Sequence, residues 1–174
     1  YPGEFNALLI RLARSNPFTI TWGIPALTRN EEAEPPEELL KNPLFASLAD
    51  AELVLRFFAL RDAIVNVRAG SLRRILDRYM GEMRNIATDT LQEMENQFIG
   101  TLSRLVALFD GSPFRLPKTQ RPSRPVYDAF MIALSLEPSL NIEERTVDIR
   151  ASLAAALNAE DTYDVLVGRG NTID

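Results

Sequence analysis

The chain has 174 residues, of which 46% are hydrophobic and 25% are charged, and it contains no histidine and no cysteine. This is ordinary globular usage, and the missing residue types exclude serine and cysteine triads, thiol redox chemistry, structural zinc sites and histidine-based nuclease motifs. The 19 basic and 24 acidic residues give a net charge of −5, which disfavours a dedicated nucleic-acid binder.

The first predicted element is a helix over residues 4–14, where apolar side chains recur at helical spacing until the Asn16-Pro17 pair ends it. Residues 17–28 are predicted to form a loop or a single turn that fills the core, because a lone strand has nothing to pair with. The acidic segment 29–38 contains a Pro-Pro pair and is predicted to be a surface loop. A short helix interrupted by Pro43 is predicted to follow it. Its apolar side chains are predicted to cover the core, and they are Leu39, Leu40, Leu44, Phe45 and Leu48.

The strongest helical pattern lies between Asp50 and Val67, with Asp50 as the predicted N-cap. Its apolar stripe is Leu53, Phe57, Leu60, Ile64 and Val67. Gly70 is a natural stop for this helix, and Ser71 can cap the next one, which is predicted to reach Arg84.

A long helix is predicted from Thr88 to Phe109, and the proline-rich basic segment 110–125 after it is predicted to be a second surface loop. Two shorter helices and a final turn are predicted over 127–136, 142–157 and 161–167. Seven or eight helices without a strand indicate an all-α, irregular bundle. Residues 1–174 are interpreted as a single helical domain, and the start at Tyr1 suggests a fragment of a longer protein.

Seventeen of the basic residues are arginines, and several of them lie between Arg56 and Arg84. Such a run forms either a solvated outer face of two helices or a contact surface for nucleic acid or an acidic partner. The segment 110–125 is either a plain connector or a segment that tracks a partner, and the final GRGNT is either a flexible turn or a phosphate grip. The candidate nucleic-acid or partner contacts are Arg73, Arg74, Arg78, Arg115, Lys118, Arg121, Arg124 and Arg169.

No pair of carboxylates has the spacing of an acid/base pair or of a metal site, so no catalytic residue, cofactor ligand or metal ligand is predicted. Trp22 and several phenylalanines are predicted to belong to the core. No window approaches the roughly 18 apolar residues of a membrane span, and no signal peptide is recognisable, so a cytoplasmic location without membrane contact is expected.

Five stretches of the chain resemble the domain-of-unknown-function 262 family, the GmrSD-type proteins of modification-dependent restriction and anti-phage defence. They are YPGEFNALLIRLARSNPF at the start, DAELVLRFFAL at 50–60, LRRILDRYM at 72–80, VYDAFMIAL and, more loosely, GRGNT. The stretch at 50–60 is the most specific of them. The resemblance covers almost the whole chain.

The resemblance implies a non-catalytic helical domain that packs against a nucleotide-binding domain and relays its state, with a nuclease domain or subunit as a further partner. The family's DGQQR-like nucleotide motif is missing from this chain, as are the histidines of its nuclease, so neither site is transferred to any residue here. Glu52 and Arg56 lie within the matching stretch and are predicted to serve in structural ion pairing or domain docking. A DNA-contacting module and an oligomerisation module remain the alternatives.

Overall fold

The computed structural model describes residues 3–27, 34–116, 121–159 and 163–164. Within these ranges the chain forms nine α-helices and no β-sheet, which confirms the predicted all-α fold. The helices are α1 (Glu4–Ala13), α2 (Asn16–Trp22), α3 (Glu37–Leu40), α4 (Pro43–Ala46), α5 (Ala49–Val65), α6 (Leu72–Glu82), α7 (Thr88–Leu108), α8 (Arg124–Leu136) and α9 (Thr146–Asn158). A short 3-10 turn follows α6.

Only two residues separate α1 from α2, where the sequence predicts a loop. That prediction is wrong for its first part, because Pro17 lies in the first turn of α2 instead of ending a helix. A proline is tolerated there, since the N–H that it lacks has no partner within the helix. Gly23, with a φ of +64°, ends α2.

The two predicted surface loops differ from the structure at their ends. Residues 29–33 of the first and 117–120 of the second lie outside the described residues. The last two residues of the first loop belong to α3, and Arg124 of the second already belongs to α8. Helix α8 begins there because the Ser123 hydroxyl accepts a hydrogen bond from the Val126 N–H at 3.4 Å.

Helix α5 begins one residue before the predicted N-cap. Leu48 precedes it with a φ of +56°, and Asp50 lies inside the first turn with its carboxylate buried. The guanidinium of Arg14, the residue directly after α1, binds this carboxylate and lies 4.2 Å from the centre of the Phe45 ring. The N-cap prediction is therefore wrong, because Asp50 is one half of a tertiary ion pair.

In the second half of α5, the residues that face the core are not those of the predicted apolar stripe. Ile64 and Val67 are exposed, while Ala59 and Ala63 are buried. The helix ends in a Schellman motif, in which the Arg68 N–H donates to the Ala63 carbonyl at 2.8 Å and the Val67 N–H donates to the Ile64 carbonyl at 3.3 Å. Val67 therefore has a φ of +50°, a strained conformation for a β-branched residue.

The predicted boundaries of α6 and α7 are close to those observed. The Ser71 hydroxyl accepts a hydrogen bond from the Arg74 N–H at 3.4 Å and so caps α6, as predicted. Helix α7 ends at Leu108, and Asp110 and Gly111 close it, with the Gly111 N–H donating to the Val106 carbonyl at 2.8 Å.

Aromatic side chains form the centre of the core. The Phe98 ring of α7 lies 5.4 Å from Phe57, 6.0 Å from Phe58 and 6.1 Å from Phe18, measured between ring centres. Trp22 lies beside these rings and is buried, so the prediction that it belongs to the core is confirmed. The segment before α8 is not simply exposed, since it contributes a buried phenylalanine that stacks on Trp22.

Helix α5 is the central element, and it packs on α1, α4, α6 and α8. Helix α7 packs on α1, α2 and α8. The Tyr127 hydroxyl of α8 donates to the Leu53 carbonyl of α5 at 3.0 Å, which joins the two helices inside the core. None of the helices in the described part of the chain is long and apolar enough to cross a bilayer.

Candidate functional site

A surface groove of about 440 Å³ lies between α1, α5 and α6. Its apolar part is built mainly from leucines because the three helices turn leucine-bearing faces toward one another there. Four polar residues complete its wall. The apolar lining includes Leu9, Leu48, Leu55, Leu72, Leu76 and Met80, and the polar lining is Asn6, Glu52, Arg73 and Asp77.

Leu48 is the most exposed apolar residue of this groove. Its surface is 59% exposed, and its backbone has the left-handed conformation that leucine rarely adopts. Leu72, at the start of α6, is exposed as well. Contiguous apolar surface with a polar rim is typical of a site that another protein surface covers.

Three of the predicted contact residues, Arg73, Arg74 and Arg78, lie together on α6. With Ser71 and Asp77 they line a second recess of about 500 Å³, which shares Arg73 and Asp77 with the groove. The structure therefore brings Arg73 into the same groove as Glu52, the predicted docking residue, although the sequence places them about twenty positions apart.

Nearby acidic side chains neutralise little of the positive charge of the α6 arginines. Arg73 is 93% exposed in its side chain, and its nearest carboxylate, Asp77, is 3.8 Å away, a surface pair that contributes little. The Nη2 atom of Arg78 is buried and has no hydrogen-bond partner among the described residues.

Arg56, the other predicted docking residue, is engaged within the fold. Its guanidinium binds the carboxylate of Asp128 on α8, and both side chains are mostly buried. Burial raises the pKa of the Asp128 carboxyl above its ordinary value, and the hydrogen bond and charge of Arg56 oppose this rise. Arg56 therefore serves structural ion pairing, with Asp128 as its partner rather than Glu52, the acid one helical turn before it.

The remaining predicted contact residues lie elsewhere. Arg115 and Arg121 are exposed in the connection between α7 and α8, Arg124 is exposed at the first position of α8, and none of them lines the groove. Lys118 and Arg169 lie outside the described residues. In the described part of the chain, no three carboxylates converge as a metal site requires.

Two contributors to the groove are missing from the sequence-based prediction. Leu48 is there assigned to the core, and Leu55 is not singled out, because both fit an ordinary helical pattern. The signal that could have identified Leu48 is its place directly before the first turn of α5. At a helix entry an apolar side chain either packs back on that helix or stays exposed.

Tyr79 of α6 gives the domain a pH-dependent stability. Burial raises the pKa of Tyr79 to about 12, with Asp62 adding to the rise and Arg61 opposing it. The folded chain thus holds the phenolic proton more tightly than the unfolded chain, so this contribution is present below pH 10 and is lost as the pH rises toward 12.

When the pH rises from about 8 to about 11, we expect the unfolding free energy of the wild type to fall by about 1.4 kcal/mol more than that of the Tyr79→Phe variant. Urea unfolding of both proteins at the two pH values measures this difference. Equal losses in the two proteins would contradict the assignment to Tyr79.

The candidate site is an apolar groove beside a cluster of arginines. No family model, no curated protein and no solved structure matches the chain, so its resemblance to the domain-of-unknown-function 262 family stays a prediction.

Proposed function

We propose that this chain is a non-catalytic docking domain whose groove receives an amphipathic helix with acidic residues from another domain or subunit. The observation that carries the proposal is the exposed Leu48 and Leu72 beside the weakly paired arginines of α6. An apolar helix face in a hydrophobic groove is a common mode of recognition between proteins.

The charges at the groove favour an acidic occupant. Arg73, Arg74 and Arg78 line the second recess from one helix, and among the described lining residues of the two recesses the carboxylates are Glu52 and Asp77. A helix that carries carboxylates next to its apolar face would pair with the arginines while its leucines cover the groove. Glu52 lies at the other side of the groove, and its charge disfavours acidic residues of the docked helix at that side. Glu52 would therefore set the orientation of this helix.

In the setting that the resemblance implies, this helix belongs to the nucleotide-binding domain of a GmrSD-type restriction protein. The present chain would then relay the state of that domain to a nuclease domain or subunit. Nucleotide would be bound by the partner and not by this chain, and the complex would work in the bacterial cytoplasm. This family setting is part of the proposal, and the docking surface is argued independently of it.

A designed helical peptide of about 16 residues tests the docking surface. It carries leucines at i, i+4 and i+7 and glutamates along one edge, and a matched peptide carries lysines instead of the glutamates. We expect the glutamate peptide to bind the whole chain and the lysine peptide to bind at least about tenfold more weakly. Fluorescence anisotropy of labelled peptides measures both affinities.

Variants of the chain locate the binding. We expect Leu48→Asp and Arg73→Glu each to weaken the glutamate peptide about tenfold, as hot-spot residues do. Val147→Asp and Arg145→Glu introduce the same changes at exposed positions of α9 and just before it, outside the groove, and leave the affinity unchanged. Equal binding of the two peptides, or full binding by Leu48→Asp, would overturn the proposal.

The two alternatives make different predictions in the same set of proteins. If the groove is a self-association surface, sedimentation shows dimers that Leu48→Asp dissociates. If the α6 arginines contact DNA, Arg73→Glu abolishes a binding that falls steeply with salt, and Leu48→Asp leaves it intact. Either result, in place of peptide binding, would replace the docking function.

A further inference from the structure

A smaller cavity lies on the other side of α6, between α5, α6 and α7. Its volume is about 220 Å³, and it shares no residue with the docking groove. The lining mixes apolar side chains with one arginine, one tyrosine and several amides and hydroxyls. An inference about this cavity is therefore independent of the proposed function.

Arg61 is the residue that distinguishes this cavity. Its Nε atom is buried and has no hydrogen-bond partner among the described residues. A buried donor without an acceptor is unfavourable, and native structures rarely keep one without a reason. The guanidinium of Arg61 is thus the charged donor that this cavity offers to a bound acceptor.

Asp62 and Glu82, two acids whose charges act on Tyr79 in the same cavity, already have other partners. Asp62, which also lines the cavity, lies 3.4 Å from Arg68 and accepts a hydrogen bond from Asn66 at 2.7 Å. Glu82 binds the same Arg68 at 2.7 Å. Arg61 is the one cationic residue among the described residues of the lining. No carboxylate of the described residues forms an ion pair with it.

The other walls suit an apolar body. Phe58, Met83 and Met94 contribute carbon and sulfur surface, and the Tyr79 ring closes one side. The volume exceeds that of a cavity of about 150 Å³ that holds benzene, so one ring with a small polar group fits.

We propose that this cavity binds a small monocarboxylate with an apolar body, whose carboxylate accepts hydrogen bonds from Arg61 and whose body lies against Phe58 and Met94. A guanidinium recognises a carboxylate through paired hydrogen bonds, and the apolar walls exclude water from the contact. A dianion such as phosphate is disfavoured, because Asp62 lines the same cavity and a phosphate has no apolar part to cover the walls.

Benzoate is the probe, since it combines one carboxylate with one ring. We expect isothermal titration calorimetry of the whole chain to show saturable binding of benzoate. Benzyl alcohol, which has the ring but no charge, should bind at least about tenfold more weakly, and inorganic phosphate should not bind. These comparisons use only the wild-type protein and do not depend on the folding of a variant.

The variant Arg61→Gln keeps a polar group and removes the charge. We expect it to lower the affinity for benzoate about tenfold or more, while Arg145→Gln, an exposed arginine outside the cavity, leaves the affinity unchanged. Binding of phosphate in place of benzoate, equal binding of benzyl alcohol, unaltered binding by Arg61→Gln, or no saturable binding of benzoate would each overturn the proposal. None of these outcomes bears on the docking groove, which Leu48→Asp and Arg73→Glu test separately.

Discussion

Replacing Asp50 by alanine is expected to lower the free energy of unfolding by about 3–5 kcal/mol. The carboxylate is buried at the start of α5, and its removal leaves the guanidinium of Arg14 in a mostly buried place without its partner. The same burial already lowers the pKa of Arg14, which indicates that its charge is poorly solvated. Urea unfolding followed by circular dichroism measures the change.

Asp77→Ala is the matched control, because Asp77 is an exposed acid whose arginine partner lies 3.8 Å away. It should change the unfolding free energy by less than about 0.5 kcal/mol. The double variant Arg14→Met with Asp50→Leu removes both charges and should recover most of the loss, since an apolar pair needs no compensation. If Asp50→Ala is as mild as Asp77→Ala, the ion pair does not stabilise the fold.

Replacing Phe98 by alanine is expected to lower the free energy of unfolding by about 3–5 kcal/mol as well. The ring is completely buried and contacts Phe18 of α2 together with Phe57 and Phe58 of α5. Its loss removes apolar burial and leaves a cavity where three helices meet. Thermal and urea unfolding both report the change.

Phe98→Leu keeps most of the buried volume and should lose only about 1 kcal/mol. Val147→Ala on α9 provides the surface control, because this valine is 79% exposed, and its effect should stay within about 0.5 kcal/mol. A loss from Phe98→Ala that does not exceed the loss from Phe98→Leu would mean that the core closes around the missing ring.

The long helices could be predicted from the sequence because their signals are local. Helix α7 has apolar residues every three or four positions, and Asp110 and Gly111 stop it where the sequence predicts. Ser71 could be recognised as a cap because the hydroxyl of the residue before a helix accepts a hydrogen bond from the backbone N–H three residues later. Periodicity and caps act within a few residues and need no knowledge of the fold.

One error arises from a distant residue, and two arise at the ends of helices. Asp50 has the residue type and place of an N-cap, yet Arg14, 36 positions away, holds its carboxylate in the core. Val67 fits the apolar stripe of α5, but the helix ends two residues earlier and leaves it exposed. Pro17 is a helix breaker in most positions, and its place in the first turn of α2 becomes evident only when Ser15 is seen to precede the helix start.

The candidate site could be predicted only in part: the sequence indicates the arginines but not the groove beside them. Arg73, Arg74 and Arg78 share a helix whose spacing places them near one another. The groove beside them depends on how α1, α5 and α6 pack, and the sequence does not specify that packing by any local rule. For the same reason the sequence does not reveal that Arg56 pairs with Asp128, 72 residues later.

The two buried ion pairs of α5 also determine when this chain can finish folding during synthesis. Arg14 is made before Asp50, but the partner of Arg56 follows 72 residues later, on α8. At about 5–20 residues per second, a ribosome needs roughly 4–14 s for those 72 residues. Throughout that time the nascent chain exposes the face of α5 that α8 will cover, and this partly made form is the one that chaperones and proteases encounter. Translation pauses between α5 and α8 therefore prolong its exposure.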